Sequence, residues 1–112
     1  PAERTRLGGV QSVLNYDVAS RTLTVADIDA FARDNYATTV SVTLPNDTDV
    51  SIPVGSSGII EAVGAGQVTF VAGSGVTINS FLSYKSTVAT YCPVMWCKTA
   101  ANTYNLVGRL AV

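Results

Sequence analysis

The sequence predicts a mainly β fold: an antiparallel β-sandwich or barrel-like meander with one short helix near residues 25–33. Residues 67–72 and 76–79 largely alternate between apolar and polar side chains, as strands with one buried face do. Glycine-rich links lie beside these runs, at Gly64-Ala65-Gly66 and Gly73-Ser74-Gly75, and glycine can adopt the positive φ of a hairpin turn. With 112 residues, 47% of them hydrophobic, the chain is long and apolar enough to form one globular domain.

The chain divides into an N-terminal arm, residues 1–12, and a single β-rich domain, residues 13–112. The arm has charges of both signs, the adjacent glycines Gly8 and Gly9 and no periodicity, so we expect it to be flexible until a partner binds it. The alternative is an arm that lies on its own domain. No apolar run approaches the ~20 residues of a membrane-spanning helix and no signal peptide opens the sequence, so we expect no membrane association.

The first part of the domain is predicted to contain the helix. Residues 13–18 form a short strand and residues 19–21 a turn. A helix of two or three turns over residues 25–33 is indicated by apolar residues at helical spacing, Val25, Ile28, Phe31 and Ala32. Thr24 and Asp27 have the spacing of a capping box at its start.

Five further strands are predicted from residue 38 to residue 79. Residues 38–44 form a strand whose inward side chains are Val40, Val42 and Leu44. Residues 45–49 form a turn. Residues 50–54 form a strand at an edge or a strand end, because Pro53 has no N–H to donate to a neighbouring strand. The central strands follow one another as a meander, at residues 59–63, 67–72 and 76–79.

The last third of the chain is predicted to be a hairpin. Its strands are residues 87–98 and 103–110, with Tyr104, Leu106 and Leu110 on one face. Cys92 and Cys97 are five residues apart in the first of these strands, which places them about 16 Å apart on opposite faces. A disulfide needs Cα atoms within about 7 Å, so we expect buried, reduced thiols.

Charge is scarce, and it is concentrated in the first half of the chain. The net charge is −1, which argues against nucleic acid as a partner, because binding to phosphates needs a surplus of lysine and arginine. Residues 51–112 contain four charged residues, Glu61, Lys85, Lys98 and Arg109. Such a surface is typical of one covered by other subunits, since interface cores are depleted in charge. The alternative is a β protein coated with serine and threonine.

The sequence contains no recognisable catalytic or ligand-binding motif. It has no histidine, so it cannot form a Ser-His or Cys-His pair or a zinc site that includes histidine. The segment around Gly64 and Gly66 lacks the third glycine of a dinucleotide fingerprint and leads into a strand. The acidic pairs are better explained by local structure than by a metal site. Asp27 and Asp29 suit the start of a helix, and Asp47 and Asp49 suit a turn. We therefore expect no enzymatic activity, no cofactor and no metal.

Three aromatic residues of the last third allow two interpretations. Tyr91, Trp96 and Tyr104 could form an aromatic platform for a sugar, or they could pack in the core or against another subunit. The packing interpretation is favoured.

Several segments resemble a β-rich module of tailed-bacteriophage virion proteins, found in head fibres, capsid decoration proteins and tail or baseplate fibre components. The resemblance covers residues 22–112. It rests on the segments TLTVAD at 22–27, VSVTLPND at 40–47, PVG at 53–55 and GAGQVTFVAGSGVTINS at 64–80, and on Lys98 with NTYNLVG at 102–108. The chain departs from the module at Tyr104, where tryptophan is usual, and in the segment CPVMWC at 92–97, which is unusual for the module and leaves the register of that strand open.

The resemblance implies a non-enzymatic structural protein of the virion, assembled in the host bacterial cytoplasm and commonly a homotrimer. Because the chain has no fibre shaft, the leading hypothesis is a capsid decoration (cement) protein whose partner is the major capsid protein. The arm residues expected to attach it are Arg4, Arg6, Leu7 and Val10. The alternative is a host-recognition or glycan-binding module of a head or tail fibre, which would use Tyr91, Trp96 or Tyr104.

Overall fold

The computed structural model describes residues 12–112, and these form eleven strands and two short 3₁₀ turns. The strands are β1 Ser12–Tyr16, β2 Ser20–Thr22, β3 Ala30–Asp34, β4 Val40–Leu44, β5 Ser57–Ala62, β6 Val68–Ala72, β7 Thr77–Asn79, β8 Ser86–Thr87, β9 Val94–Ala100, β10 Thr103–Val107 and β11 Leu110–Ala111. The 3₁₀ turns are Val25–Asp27 and Phe81–Ser83. The mainly β prediction is confirmed.

The strands form two mixed sheets. The six-stranded sheet has the order β1-β3-β5-β9-β10-β7, and the five-stranded sheet has the order β11-β8-β6-β4-β2. The chain alternates between the sheets over its first six strands, so β1, β3 and β5 are parallel neighbours, as are β2, β4 and β6. The antiparallel arrangement predicted from sequence is therefore wrong for these strands, although the later pairs β5–β9, β9–β10, β6–β8 and β8–β11 are antiparallel.

The first six strands form three stacked coils, each with one strand in each sheet. Paired residues of the second and third coils are 28 residues apart in both sheets, since Phe31 is the partner of Ile59 and Val40 is the partner of Val68. Backbone hydrogen bonds continue through the corners between the sheets, for example from the Gly66 N–H to the Tyr36 carbonyl at 2.8 Å. The coils therefore stay in register where the chain changes sheet.

The glycine-rich links are corners between sheets and not the hairpin turns of a meander. Residues 64–66 connect β5 to β6, which lie in different sheets, and residues 73–75 connect β6 to β7, which also do. A Cβ atom at Gly66 would lie 1.7 Å from the Thr38 carbonyl oxygen of the preceding coil. Glycine is needed there because two backbones approach closely.

The predicted helix over residues 25–33 is also wrong. The capping box between Thr24 and Asp27 is present, but it begins a single 3₁₀ turn. The backbone then turns at Asp29, whose φ is +58°, and residues 30–34 continue as β3 between β1 and β5. Pairing on both sides satisfies the backbone polar groups of β3, which outweighs the helical spacing of its apolar residues.

The remaining elements agree with the sequence in part. β1 begins at Ser12, within the predicted arm, and ends before the end of the predicted strand 13–18. Residues 20–22 form β2 in place of the turn predicted at 19–21, and residues 50–54 form no strand. The hairpin β9–β10 is confirmed, but residues 88–93 of its predicted first strand form no strand, so Cys92 lies outside β9. Leu110 lies on β11 in the five-stranded sheet, apart from Tyr104 and Leu106 in the other.

One hydrophobic core fills the space between the two sheets. The five-stranded sheet contributes Val40, Val42 and Leu44 of β4 and Val68 and Phe70 of β6, which are all buried. The six-stranded sheet contributes buried residues from four strands, Ala32, Ile60, Ala62, Val94, Trp96, Tyr104 and Leu106. The inward positions of β4 are those the sequence predicts. The molecule is thus a two-layer sandwich, and the outer face of each sheet is available for other contacts.

Candidate functional site

A row of apolar side chains, one from each of five neighbouring strands, crosses the outer face of the six-stranded sheet. Pairing aligns Val13 with Phe31, Phe31 with Ile59, Ile59 with Met95, and Met95 with Val107. Val13, Met95 and Val107 are 59%, 37% and 52% exposed, while the other two are half-buried. We call these five residues the apolar row. At the usual strand spacing of about 4.8 Å, it is roughly 19 Å long.

Polar rows border the apolar row on both sides. On one side Arg33 has its Nε 3.5 Å from Glu61 Oε1 and its Nη1 3.5 Å from Asn15 Oδ1. On the other side the aligned residues are Ser57, Cys97, Asn105 and Asn79. The outward strand residues of this face therefore include one arginine and one glutamate, which pair with each other.

A second group of exposed apolar side chains belongs to the chain segment that connects β7 to β9. Phe81, Leu82, Val88 and Tyr91 are exposed there. Leu82 and Tyr91 also have left-handed backbones, with φ of +52° and +62°. A left-handed conformation costs a residue with a Cβ about 1–2 kcal/mol, so the rest of the fold must hold this segment, residues 80–92, in place.

The surface of residues 51–112 is poorer in charge than the sequence alone indicates. Lys98 is fully buried, and the Glu61 side chain is largely covered and pairs with Arg33. Arg109 is exposed and Lys85 is half-buried. The exposed surface of this half is therefore made almost entirely of neutral polar and apolar groups.

The buried Lys98 joins the hairpin to the loop after β4. Its Nζ donates to Asp47 Oδ1 at 2.5 Å and to the Ile52 carbonyl at 2.7 Å, and it lies 5.4 Å from the centre of the Tyr104 ring. The hydrogen bond from Lys98 lowers the pKa of Asp47. The Tyr104 hydroxyl donates to the Pro45 carbonyl at 2.9 Å, and burial, with the charge of Asp47, raises the pKa of Tyr104 to about 12.

A second buried ionic group lies where the two sheets meet near β2. Arg21 binds Asp34 with two hydrogen bonds of 3.0 Å and reaches Asp27 Oδ1 at 3.3 Å, and its guanidinium lies 3.8 Å from the centre of the Tyr16 ring. Burial, which alone would lower the pKa of Arg21, is outweighed by Asp34 and Asp27, so the net change is upward. Burial and the charge of Asp27 raise the pKa of Tyr16. Both carboxylates are satisfied by the fold, so the cluster is structural.

We find no match to this chain among protein-family models, curated proteins or solved structures.

The structure places the predicted site residues in three different settings. Arg4, Arg6, Leu7 and Val10 lie outside the described residues. Trp96 and Tyr104 are fully buried and pack edge to face, with ring centres 6.1 Å apart. They cannot offer a ring to a sugar, so the three-residue aromatic platform is not formed and the core interpretation is correct for these two. Tyr91 is exposed. Cys92 and Cys97 are free thiols, and both are half-buried rather than buried.

Two clefts of the described chain are small and open. One, of about 300 Å³, lies between residues 62–67 and 87–90, and the other, of about 240 Å³, lies near Tyr16, Arg33 and Asn35. Within residues 12–112, no three histidine, cysteine or acidic side chains are grouped to hold a metal. None of the helical segments described is long and apolar enough to cross a membrane. The apolar row and the 80–92 segment are therefore the strongest candidates for function, as contact surfaces.

Proposed function

We propose that this chain is a structural virion protein of a tailed bacteriophage: a capsid decoration protein that binds the assembled head and stabilises it. The observation that carries the proposal is the exposed surface of residues 51–112, which is almost free of charge and displays apolar side chains. A surface of this kind is typical of one that another protein covers. The resemblance of residues 22–112 to a module of phage virion proteins supports the same conclusion and names the class of partner.

The mechanism is preferential binding to the assembled state. A protein that binds the assembled capsid but not its free subunits shifts the equilibrium towards assembly by mass action. Residues 1–12 attach the domain to the major capsid protein through Arg4, Arg6, Leu7 and Val10, and the exposed side chains Phe81 and Leu82 extend the contact. No catalytic step is needed, and the fold supplies only a shaped, rigid surface.

The copy number per virion is the decisive measurement. Quantitative mass spectrometry of purified particles, with the major capsid protein as the internal standard, should give hundreds of copies, near one per capsid subunit. A count of a few to some tens would contradict decoration and indicate a vertex, collar or tail component. Absence of the protein from particles would overturn the proposed virion role.

A binding assay separates the contributions of the arm and the domain. Capsids lacking the protein are mixed with the full chain or with a variant that lacks residues 1–11, which spares β1. The truncated variant should bind much more weakly. Full decoration by the truncated chain would show that Arg4, Arg6, Leu7 and Val10 are not the attachment residues.

A second pair of variants, one test and one control, changes exposed residues of the domain. Phe81→Ser should weaken binding, whereas Val54→Ser, at an exposed site in a different loop, should not. Thermal unfolding of each free variant shows whether the fold is retained.

A further inference from the structure

We propose that the apolar row is the contact between two copies of this chain, which pack the outer faces of their six-stranded sheets against each other about a twofold axis. This inference concerns the isolated protein and does not depend on the proposed capsid role. It goes beyond that role because it assigns a second copy of the chain as the partner of the apolar row, in a twofold contact that differs from the homotrimer implied by the resemblance.

The row has the anatomy of an interface core. Its five side chains come from five adjacent strands and are continuous across the sheet, because strand pairing aligns each with the next. Polar rows border it on both sides, with Arg33, Glu61 and Asn15 on one side and amide, hydroxyl and thiol groups on the other. An apolar centre inside a polar rim is the usual arrangement of a specific protein–protein contact.

The charge of this face favours a second copy as the occupant. The outward residues of these strands carry one positive and one negative side chain, and Arg33 and Glu61 already pair with each other. A strongly charged partner would find no complement on this face, whereas an identical neutral face is not repelled. A twofold axis also places the row of one copy against the same row of the other, as a self-complementary contact requires.

The area predicts that the contact is weak. Six strands at about 4.8 Å spacing, with about five residues each at 3.3 Å, form a face of roughly 24 by 17 Å. This is about 400 Å² in projection, below the ~800 Å² that each partner contributes to an interface of standard size. We therefore expect association only at high protein concentration, with a dissociation constant on the order of 10–1000 μM.

The test is sedimentation velocity of the purified chain from about 5 μM to 1 mM. The weight-average mass should rise from that of one chain and approach a doubling as the concentration increases. Met95→Glu should abolish the doubling, because it places two carboxylates in the contact. Val71→Glu is the matched control: Val71 is 39% exposed, compared with 37% for Met95, but it lies on the five-stranded sheet. Doubling that persists in Met95→Glu, or that is lost in both variants, would overturn the proposal.

A second variant and a second measurement guard against misfolding of Met95→Glu. Val107→Glu changes a different strand and should also prevent association. Amide chemical shifts of the unmodified chain, compared between dilute and concentrated samples, should change at the five residues of the row and not on the five-stranded sheet. A chain that keeps its mass at every concentration would overturn the proposal. Association seen only after removal of residues 1–11 would also overturn it, because the arm would then be the occupant of the apolar row in the full chain.

Discussion

Tyr104 joins two segments that are far apart in the sequence. Its ring lies in the core against Trp96, and its hydroxyl donates to the carbonyl of Pro45, at the end of β4. Burial first, and the charge of Asp47 second, make the phenolate unfavourable and raise the pKa of Tyr104 from 10.0 to about 12. One side chain therefore contributes both packing and a fixed hydrogen bond.

Tyr104→Phe should keep the ring and lose the hydrogen bond. The buried Pro45 carbonyl would then lack its partner, at a cost of about 1–3 kcal/mol in the free energy of unfolding. Absorbance titration of the tyrosines should lose its step near pH 12, whereas Tyr91→Phe, at an exposed tyrosine, should retain that step. Because the folded-state pKa lies above the unfolded value of 10.0, the contribution of Tyr104 is fully present below pH 10 and is lost as the pH rises towards 12. A wild-type titration without the late step would contradict the structure.

The pH dependence of Asp47 has the opposite sign. Its pKa is lowered from 3.8, first by the hydrogen bond from Lys98, so the stability it contributes is present above pH 3.8 and is lost as the pH falls through the lower folded-state pKa. NMR titration of the Asp47 carboxyl carbon should show this lowered midpoint, and Lys98→Met should raise it. Lys85→Met should leave it unchanged, since the Lys85 ammonium donates to the Ser83 carbonyl instead. The same midpoint in wild type and Lys98→Met would refute the role of Lys98.

At the scale of elements, Arg21 connects the two sheets. It lies on β2, the edge of the five-stranded sheet, and binds Asp34 of β3 in the six-stranded sheet. Arg21→Met would leave Asp27 and Asp34 buried without their cation and should cost about 3–5 kcal/mol. This is a large part of the ~5–15 kcal/mol that stabilises a typical domain. Urea denaturation measures the loss.

Arg33→Met provides the matched comparison. Its ion pair with Glu61 is longer, at 3.5 Å, and more exposed to solvent than the pair between Arg21 and Asp34. Pairs of this kind contribute about 1 kcal/mol or less. Equal losses in the two variants would show that the Arg21 cluster does not hold the sheets together.

The sequence predicted those strands whose pattern is decided locally. β4 alternates buried and half-buried residues as expected, and the β9–β10 hairpin has its two strands adjacent in the chain. The corners at residues 64–66 and 73–75 were misassigned because glycine permits both a hairpin turn and a close backbone crossing. At Gly66, only the position of Thr38, 28 residues earlier in the chain, distinguishes these uses.

The apolar row could be predicted only in part, for a related reason. Its members come from five strands, and pairing register decides that Phe31 lies beside Ile59 and Ile59 beside Met95. Register between parallel strands depends on long-range contacts that no local pattern encodes. A usable signal was the shared 28-residue offset of buried positions, such as Val40 with Val68 and Val42 with Phe70.

At the scale of the whole molecule, one core links every coil and the hairpin. Trp96, the only tryptophan, lies in this core, while the strands of both sheets surround it. We expect thermal unfolding followed by tryptophan fluorescence to coincide with unfolding followed by far-ultraviolet circular dichroism, as in a two-state domain. A fluorescence change that precedes the loss of strand signal would indicate that the hairpin β9–β10 separates from the three coils first.

The position of Met95 gives the outer face its own spectroscopic reporter. It is the only methionine of the chain, so a sample labelled with carbon-13 at the methionine methyl contains a single labelled group, in the fourth strand of the six-stranded sheet. Peroxide converts an accessible methionine to its sulfoxide, which is polar and chiral. The rate of that conversion measures how much of the face is covered, and a protein that has aged in air presents a different face from a freshly prepared one.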